Sequence, residues 1–282
     1  MMKKVISASR RTDLVAFFPE WLSSAIKTEK ALVYGPSTHT YLVNLSPAVV
    51  HTVVLWSKNF SNLIENKYNL LNHIKKYDQL YLHFCITGLG GSLIECGVPP
   101  SSIALSQLEP LLKIVGKARR ISIRFDPVVY WKDHGKIKTN LYFFEKLAPL
   151  VRNFGIKDIR ISFAQWYRKA KIRAKRQNFT YVDPSYEEKK KDARYLAGIA
   201  RDNGLNLFSC SQDFLSEVPG ISPSSCIDGF LLQSLHPARD HVSQRKDKTQ
   251  RKECRCTESI DIGSYTQACP HCCLYCYANP KI

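Results

Sequence analysis

Six short apolar runs, rich in β-branched and aromatic residues, alternate with longer amphipathic stretches along most of this 282-residue chain. The runs span residues 4–9, 52–57, 79–87, 120–125, 158–163 and 205–210, and each is predicted to be a strand. Between them, residues 19–27, 61–76, 106–115, 141–154 and 185–203 carry helical periodicity. The last of these meets Gly204, the residue type that most readily closes a helix in the left-handed conformation. Strands separated by helices pair in parallel through right-handed crossovers. About six such units predict an α/β fold, a full or partial TIM-like (β/α) barrel, with a doubly wound open sheet as the structural alternative. Hydrophobic residues make up 44% of the chain, enough for one substantial core. Residues 1–235 are read as the barrel. Residues 236–282, polar and basic and then cysteine-rich, are read as a C-terminal segment of the same globular unit.

Charge and cysteine usage narrow the functional classes. The formal charge of +17 favours contact with polyanions such as nucleic acid or nucleotides. Six cations, Arg168, Lys169, Lys171, Arg173, Lys175 and Arg176, fall within nine residues, and a second basic run covers 245–255. A solvated helix or loop is the plainer reading of such a run. Trp166, Tyr167 and Tyr181 nearby favour a surface that follows a phosphate backbone while aromatic rings stack on bases. The first eleven residues lack the apolar core of a signal peptide, and no apolar run approaches bilayer length. Ten cysteines in a chain this long, without a secretory signal, are expected to be thiols or metal thiolates in a reducing cytoplasm.

Three of those cysteines, Cys269, Cys273 and Cys276, stand in a C-x3-C-x2-C spacing within CPHCCLYCYAN. Three thiolates on one loop can hold three irons of a 4Fe-4S cluster and leave the fourth iron open, whereas a closed structural metal takes four protein ligands. The competing reading is a zinc knuckle completed by His271 or Cys272. Adjacent Cys272 and Cys273 diverge, so such a site needs ligands from elsewhere.

The spacing, with Tyr275 directly before the last cysteine, resembles the cluster-binding loop of radical S-adenosylmethionine (SAM) enzymes. In that superfamily the loop follows the first strand; here it comes last. The rest of the chain resembles a domain-of-unknown-function family. The stretches that carry this resemblance are ISASRRTDLVAFFPEWL (6–22), VVLWSKN (53–59), SIRFDPV (122–128), ISFAQWYRK (161–169), CIDG (226–229) and CRCTESIDIGSYTQACPHCCLYCYAN (254–279). Cys272 stands where that family's loop is expected to carry glycine, and SCSQD around Cys210 is a looser version of its usual acidic run. The resemblance implies a 4Fe-4S cluster on Cys269, Cys273 and Cys276, with SAM on the open iron, an external electron donor, and Tyr275 and Tyr277 as shields. The C-terminal segment would then close over the barrel mouth.

Catalytic groups of a barrel gather at the C-terminal strand ends. Polar residues predicted there are Arg10, Arg11 and Asp13, then Lys58 and Asn59, then Gly88, Gly90 and Gly91, then Arg124 and Asp126. Arginines can clamp carboxylates or phosphates and an aspartate can take both hydroxyls of a ribose, so these residues suit SAM or a nucleotide substrate. Cys210, Cys226, Cys254 and Cys256 are enough for an auxiliary 4Fe-4S cluster or a tetrahedral zinc, with His236 or His241 able to replace one of them. Cys85 reads as a small core residue. The expected function is a radical SAM enzyme acting on an unidentified substrate, a nucleotide or nucleic acid being one candidate. The alternatives are a zinc- or iron-sulfur-containing nucleic-acid-binding protein without SAM chemistry, and an electron-transfer protein in which Cys256 completes a four-ligand cluster.

Overall fold

The computed structural model describes residues 2–35, 39–278 and 280. Its strands are β1 (Lys4–Ala8), β2 (Lys30–Tyr34), β3 (Thr40–Asn44), β4 (Val50–Ser57), β5 (Leu80–Cys85), β6 (Ile121–Val128), β7 (Tyr130–Asp133), β8 (Lys136–Thr139), β9 (Asp158–Phe163), β10 (Tyr181–Val182), β11 (Asn206–Ser209), β12 (Ile221–Pro223) and β13 (Ile260–Asp261). The helices are α1 (Leu14–Phe17), α2 (Pro19–Lys27), α3 (Ser61–Ile64), α4 (Leu70–Ile74), α5 (Ser101–Ser106), α6 (Leu108–Val115), α7 (Phe143–Asn153), α8 (Arg168–Arg176), α9 (Tyr186–Asp202) and α10 (Gly229–Leu235). Eight strands form one parallel sheet in the order β12-β11-β9-β6-β5-β4-β1-β13. Seven of them lie side by side in chain order, and β13 returns from the far end of the chain to pair with β1. Among the described residues no ladder joins β12 to β13. The fold is therefore mixed α/β around a parallel sheet.

Local chemistry explains where the elements depart from expectation. The helix predicted over 61–76 is interrupted because Asn66, Tyr68 and Asn69 take left-handed conformations, with φ of 53°, 53° and 58°. Asparagine tolerates that region better than most residues. The antiparallel pairs β2–β3 and β7–β8 had no predicted counterpart. Neither had β12 and β13, which are three and two residues long and too short to leave a period in the sequence.

Side-chain alternation gives the sheet two unlike faces. Ile6, Val53, Leu55, Leu82, Phe84, Ile123 and Ile161 join the helices in the large apolar core. Their neighbours along the strands, Ser7, Trp56, His83, Ser122, Arg124 and Arg160, make the other face polar. Residues 225–242 cover the deep end of that polar face: Ile227, Leu232, Leu235 and Val242 pack on Val5, Val54 and Tyr81. Three polar side chains of the sheet reach the backbone of this segment, since buried donors need partners. Gln79 Nε2 donates to Leu232 O at 2.8 Å, Arg160 Nη2 to Ser225 O at 3.1 Å, and His83 Nε2 lies 2.7 Å from Cys226 O. Among the described residues no helix is long and apolar enough to cross a membrane.

Candidate functional site

At the C-terminal strand ends the polar face borders a cavity of about 670 Å³. Its wall includes Arg10 after β1, Trp56 and Lys58 at the end of β4, and Arg124 and Asp126 on β6; Arg251, Cys254, Cys256, Tyr265, Cys276 and Tyr277 come from the tail. Two guanidinium groups lie near the Trp56 ring, Arg10 at 5.6 Å and Arg124 at 5.3 Å, and the ring stacks on His83 at 4.1 Å. Asp126 pairs with Arg124 and also accepts from Ser162. Burial works against the charge on Arg10, but Cys256 and Asp261 outweigh it and hold its pKa up.

Beside this cavity, the loop carrying Cys269, Cys273 and Cys276 is braced from several elements. His271 Nε2 lies 2.8 Å from Asp13 Oδ2, which also accepts from Ser57 Oγ and Lys58 N, both at 2.9 Å. His271 Nδ1 lies 3.0 Å from Gly97 O, and Gly97 N donates to His271 O at 3.1 Å. Tyr275 donates to Glu95, whose Oε1 also takes Lys58 Nζ at 2.9 Å and Thr87 Oγ1 at 2.8 Å. Arg173 on α8 donates to the carbonyls of Leu274 and Cys276. Burial raises all three thiols, Cys269 to about 11 and Cys273 well above the ordinary range. A metal there must displace those protons. Asn279, the last residue of the YCYAN motif, lies outside the described residues.

Cys272 has φ of +54°, the left-handed region suggested by glycine's expected place there. Its Sγ turns back to Pro270 O at 3.1 Å. A non-glycine residue in this region costs on the order of 1–2 kcal/mol. Cys272→Gly is expected to raise stability by about 0.5–1 kcal/mol after the extra entropy of the unfolded chain is counted. Thermal melting checks this, and a lower Tm would mean that the side chain contributes more than the strain costs.

The fold also brings Cys210, Cys226, Cys254 and Cys256 to the cavity wall. Cys210 Sγ and Cys226 Sγ are 3.4 Å apart, and Arg124 donates to them at 3.3 and 2.9 Å. Hydrogen bonds from Cys210 and Cys256, with help from Arg124, hold Cys226 well below the ordinary thiol range; a bond from Cys256 lowers Cys254 to about 6. Cys226 and Cys254 thus have the thiolate character a metal ligand needs, whereas the same hydrogen bonds push Cys210 and Cys256 up, and a metal must displace those protons.

Other residues are spent on architecture. Asp13 also caps α1 through Ala16 N, and Asn59 Oδ1 accepts from Ser61 N at 3.0 Å and Gln107 Nε2 at 2.7 Å. Arg11 donates to Gly263 O at 2.8 Å and stacks over Tyr265. None of Arg11, Asp13 and Asn59 lines the cavity. Cys85 lies on the polar face rather than in the apolar core, 3.0 Å from Lys58 Nζ. His236 sits with Asp78 and Asp240, three groups whose ligand atoms lie within 4.8 Å of one another. Lys3 already bridges both carboxylates at 3.2 and 2.9 Å, and His236 Nδ1 accepts from Asp240 N, which leaves the hydrogen on Nε2. That arrangement supplies its own cation.

Three important positions escaped the sequence reading: Trp56, Glu95 and Asp261. Asp261 accepts from Ser7 Oγ, Ser9 Oγ and Arg10 N at 2.7–3.0 Å and so ties the tail to β1. Trp56 and Asp261 lay within quoted stretches, but Glu95 had no signal in its neighbourhood. The profile of a family described as "Domain of unknown function (DUF1848)" matches residues 5–278. The chain belongs to the DUF1848 family. Among curated proteins none matches it in sequence. Solved structures similar to this DUF1848 chain include a D-hydantoinase, with TM-score 0.38 and 10% identity over 93% of this chain and 64% of that one. A D-hydantoinase from Bacillus sp. AR9 gives 0.33 and 10% over 77% and 42%. The carboxyl transferase domain of Rhizobium etli pyruvate carboxylase gives 0.30 and 10% over 85% and 44%. The chain spans less than two thirds of the length of each of these structures.

Proposed function

We propose that this DUF1848 chain is a radical SAM enzyme, with a 4Fe-4S cluster on Cys269, Cys273 and Cys276 and SAM and substrate in the adjoining cavity. The observation that carries this reading is the convergence of a braced three-thiol loop with a polar cavity that Cys276 itself lines. The donor set fits the group. A closed structural zinc takes four protein ligands, whereas Cys272, turned back to Pro270, leaves this loop's set at three, the number that holds three irons of a 4Fe-4S cluster.

When bound, such a cluster with SAM and one electron from an external reductant supplies a carbon-centred radical that takes a hydrogen atom from substrate. The protein's own residues do the rest. Arg10 and Arg124 offer guanidinium groups to a carboxylate or phosphate, Trp56 offers a ring face to an adenine, and Asp126 offers carboxylate oxygens to hydroxyls. Lys58 holds a buried positive charge close to Cys273. In this reading the eight parallel strands are an incomplete TIM-like barrel, and residues 236–282 cover its mouth. The four cysteines Cys210, Cys226, Cys254 and Cys256 hold a second metal, a cluster or zinc.

Anaerobic purification with iron and sulfide analysis, followed by dithionite and SAM, tests the assignment. About four irons per chain, or about eight if the second set also holds a cluster, and release of 5'-deoxyadenosine are expected. Zinc without iron, or no 5'-deoxyadenosine from an iron-loaded protein, would sink the enzyme claim.

A further inference from the structure

The two basic segments read in the sequence meet at one place. Arg251, in the 245–255 run, donates to Tyr167 OH at 2.9 Å, immediately before α8, although 84 residues separate them. The first segment has six cations and no acid, and the second six cations against two acids, so together they hold more than half of the net +17. Among the described residues none of Arg168, Lys171, Lys175, Arg176, Lys248 and Lys252 pairs with a carboxylate, and all six are exposed. α8 can face its cations outward because its small residues Ala170 and Ala174 pack inward on Trp166, Leu89 and Ile94.

Aromatic rings stand where these segments meet the cavity. Tyr167, Tyr265 and Tyr277 all line it, yet are 40%, 49% and 56% exposed. Arg251 lies over Tyr277 at 5.8 Å, and Arg11 over Tyr265 at 4.8 Å. Three rings grouped at one cavity mouth with cations beside them suit a ligand that is both anionic and aromatic. Paired bases hide their faces in the duplex, so rings at a cavity mouth reach only unpaired ones.

We propose that single-stranded nucleic acid is the ligand of this face, its backbone along α8 and residues 245–255 and one unpaired base over Tyr167 at the mouth. The inference names the substrate class of the site described above and rests on that reading for the chemistry, but not for the binding.

Fluorescence anisotropy on the full chain tests it, with labelled single-stranded DNA, single-stranded RNA, the matching duplex and heparin. Single strands of DNA or RNA should bind more tightly than duplex, and log Kd should rise steeply with log salt. The triple change Lys171→Gln, Lys175→Gln, Arg176→Gln should flatten the salt slope by about 2. Tyr167→Ala should weaken single-strand binding roughly 5- to 100-fold while heparin binding is unchanged. Unaltered circular dichroism and Tm would verify that both variants fold. Tighter binding of duplex, equal loss of heparin binding in Tyr167→Ala, or a slope indifferent to the triple change would overturn the proposal. Binding that follows this pattern in a protein that fails to cleave SAM would leave the inference standing and remove the enzyme reading; SAM cleavage without strand binding would do the reverse.

Discussion

Cys273→Ala is expected to abolish the iron of the C-terminal site, while Cys272→Ala, one residue away, leaves it. The two thiols have nearly the same sequence context and opposite surroundings. Cys273 is 6% exposed, faces the charge of Lys58 and interacts electrostatically with both Cys269 and Cys276. Cys272 bends away to the Pro270 carbonyl from a left-handed backbone. A three-thiolate site cannot lose one ligand and keep its cluster firmly, because the remaining two cannot replace the lost iron–sulfur bond. Cys269→Ala and Cys276→Ala should behave as Cys273→Ala does. Iron and sulfide per chain on anaerobic protein is the measurement, with thermal melting to verify folding. Equal loss of iron from Cys272→Ala would overturn the ligand assignment. Cys256→Ala adds a second comparison: SAM binding that survives it supports an open iron on the C-terminal loop, whereas loss of that loop's cluster would mean that Cys256 had closed the site.

The contrast between neighbours also measures how much the sequence could tell. Strands built from apolar, β-branched runs were legible: β1, β4, β5, β6, β9 and β11 lie where those runs predicted them. β12 and β13 were not, because a strand of two or three residues takes its conformation from its neighbours. Yet β13 sets the architecture, since it brings Asp261 to the end of β1. The cysteine spacing was readable because it is local. Its bracing was not, because Asp13 and His271 are 258 residues apart. A charged residue after a strand reads the same whether it meets a ligand or caps a turn. Arg10, Lys58, Arg124 and Asp126 line the cavity, while Asp13 and Asn59 hold backbone amides. Only the hydrogen-bond partners separate the two groups.

Gly97 offers the second large effect, far in sequence from Cys269, Cys273 and Cys276. A Cβ at this position would fall 2.1 Å from Pro270 O and 2.9 Å from His271 Cα, inside the cysteine loop's own backbone. Rotating a side chain cannot relieve the clash, since both obstacles are main chain. Gly97 has no positive φ, so contact alone makes alanine costly there. To make room the loop must retreat from the 88–98 segment, breaking the paired hydrogen bonds between Gly97 and His271 and drawing His271 away from Asp13. Cys269 and Cys273 flank His271 and move with it. Gly97→Ala is therefore expected to destabilise the fold by about 1–3 kcal/mol, the usual cost of overpacking. For a chain of this size that lowers Tm by roughly 2–5 °C. The iron held by the C-terminal loop after anaerobic purification should fall to less than about half of the unaltered protein's. Gly198→Ala is the control: it lies within α9 with nothing inside 4 Å of the added carbon, so it should gain about 0.5–1 kcal/mol and keep its iron. Unchanged iron and Tm in Gly97→Ala would mean that the cysteine loop does not rest on this glycine, and the bracing that presents its thiols to the cavity would need another origin.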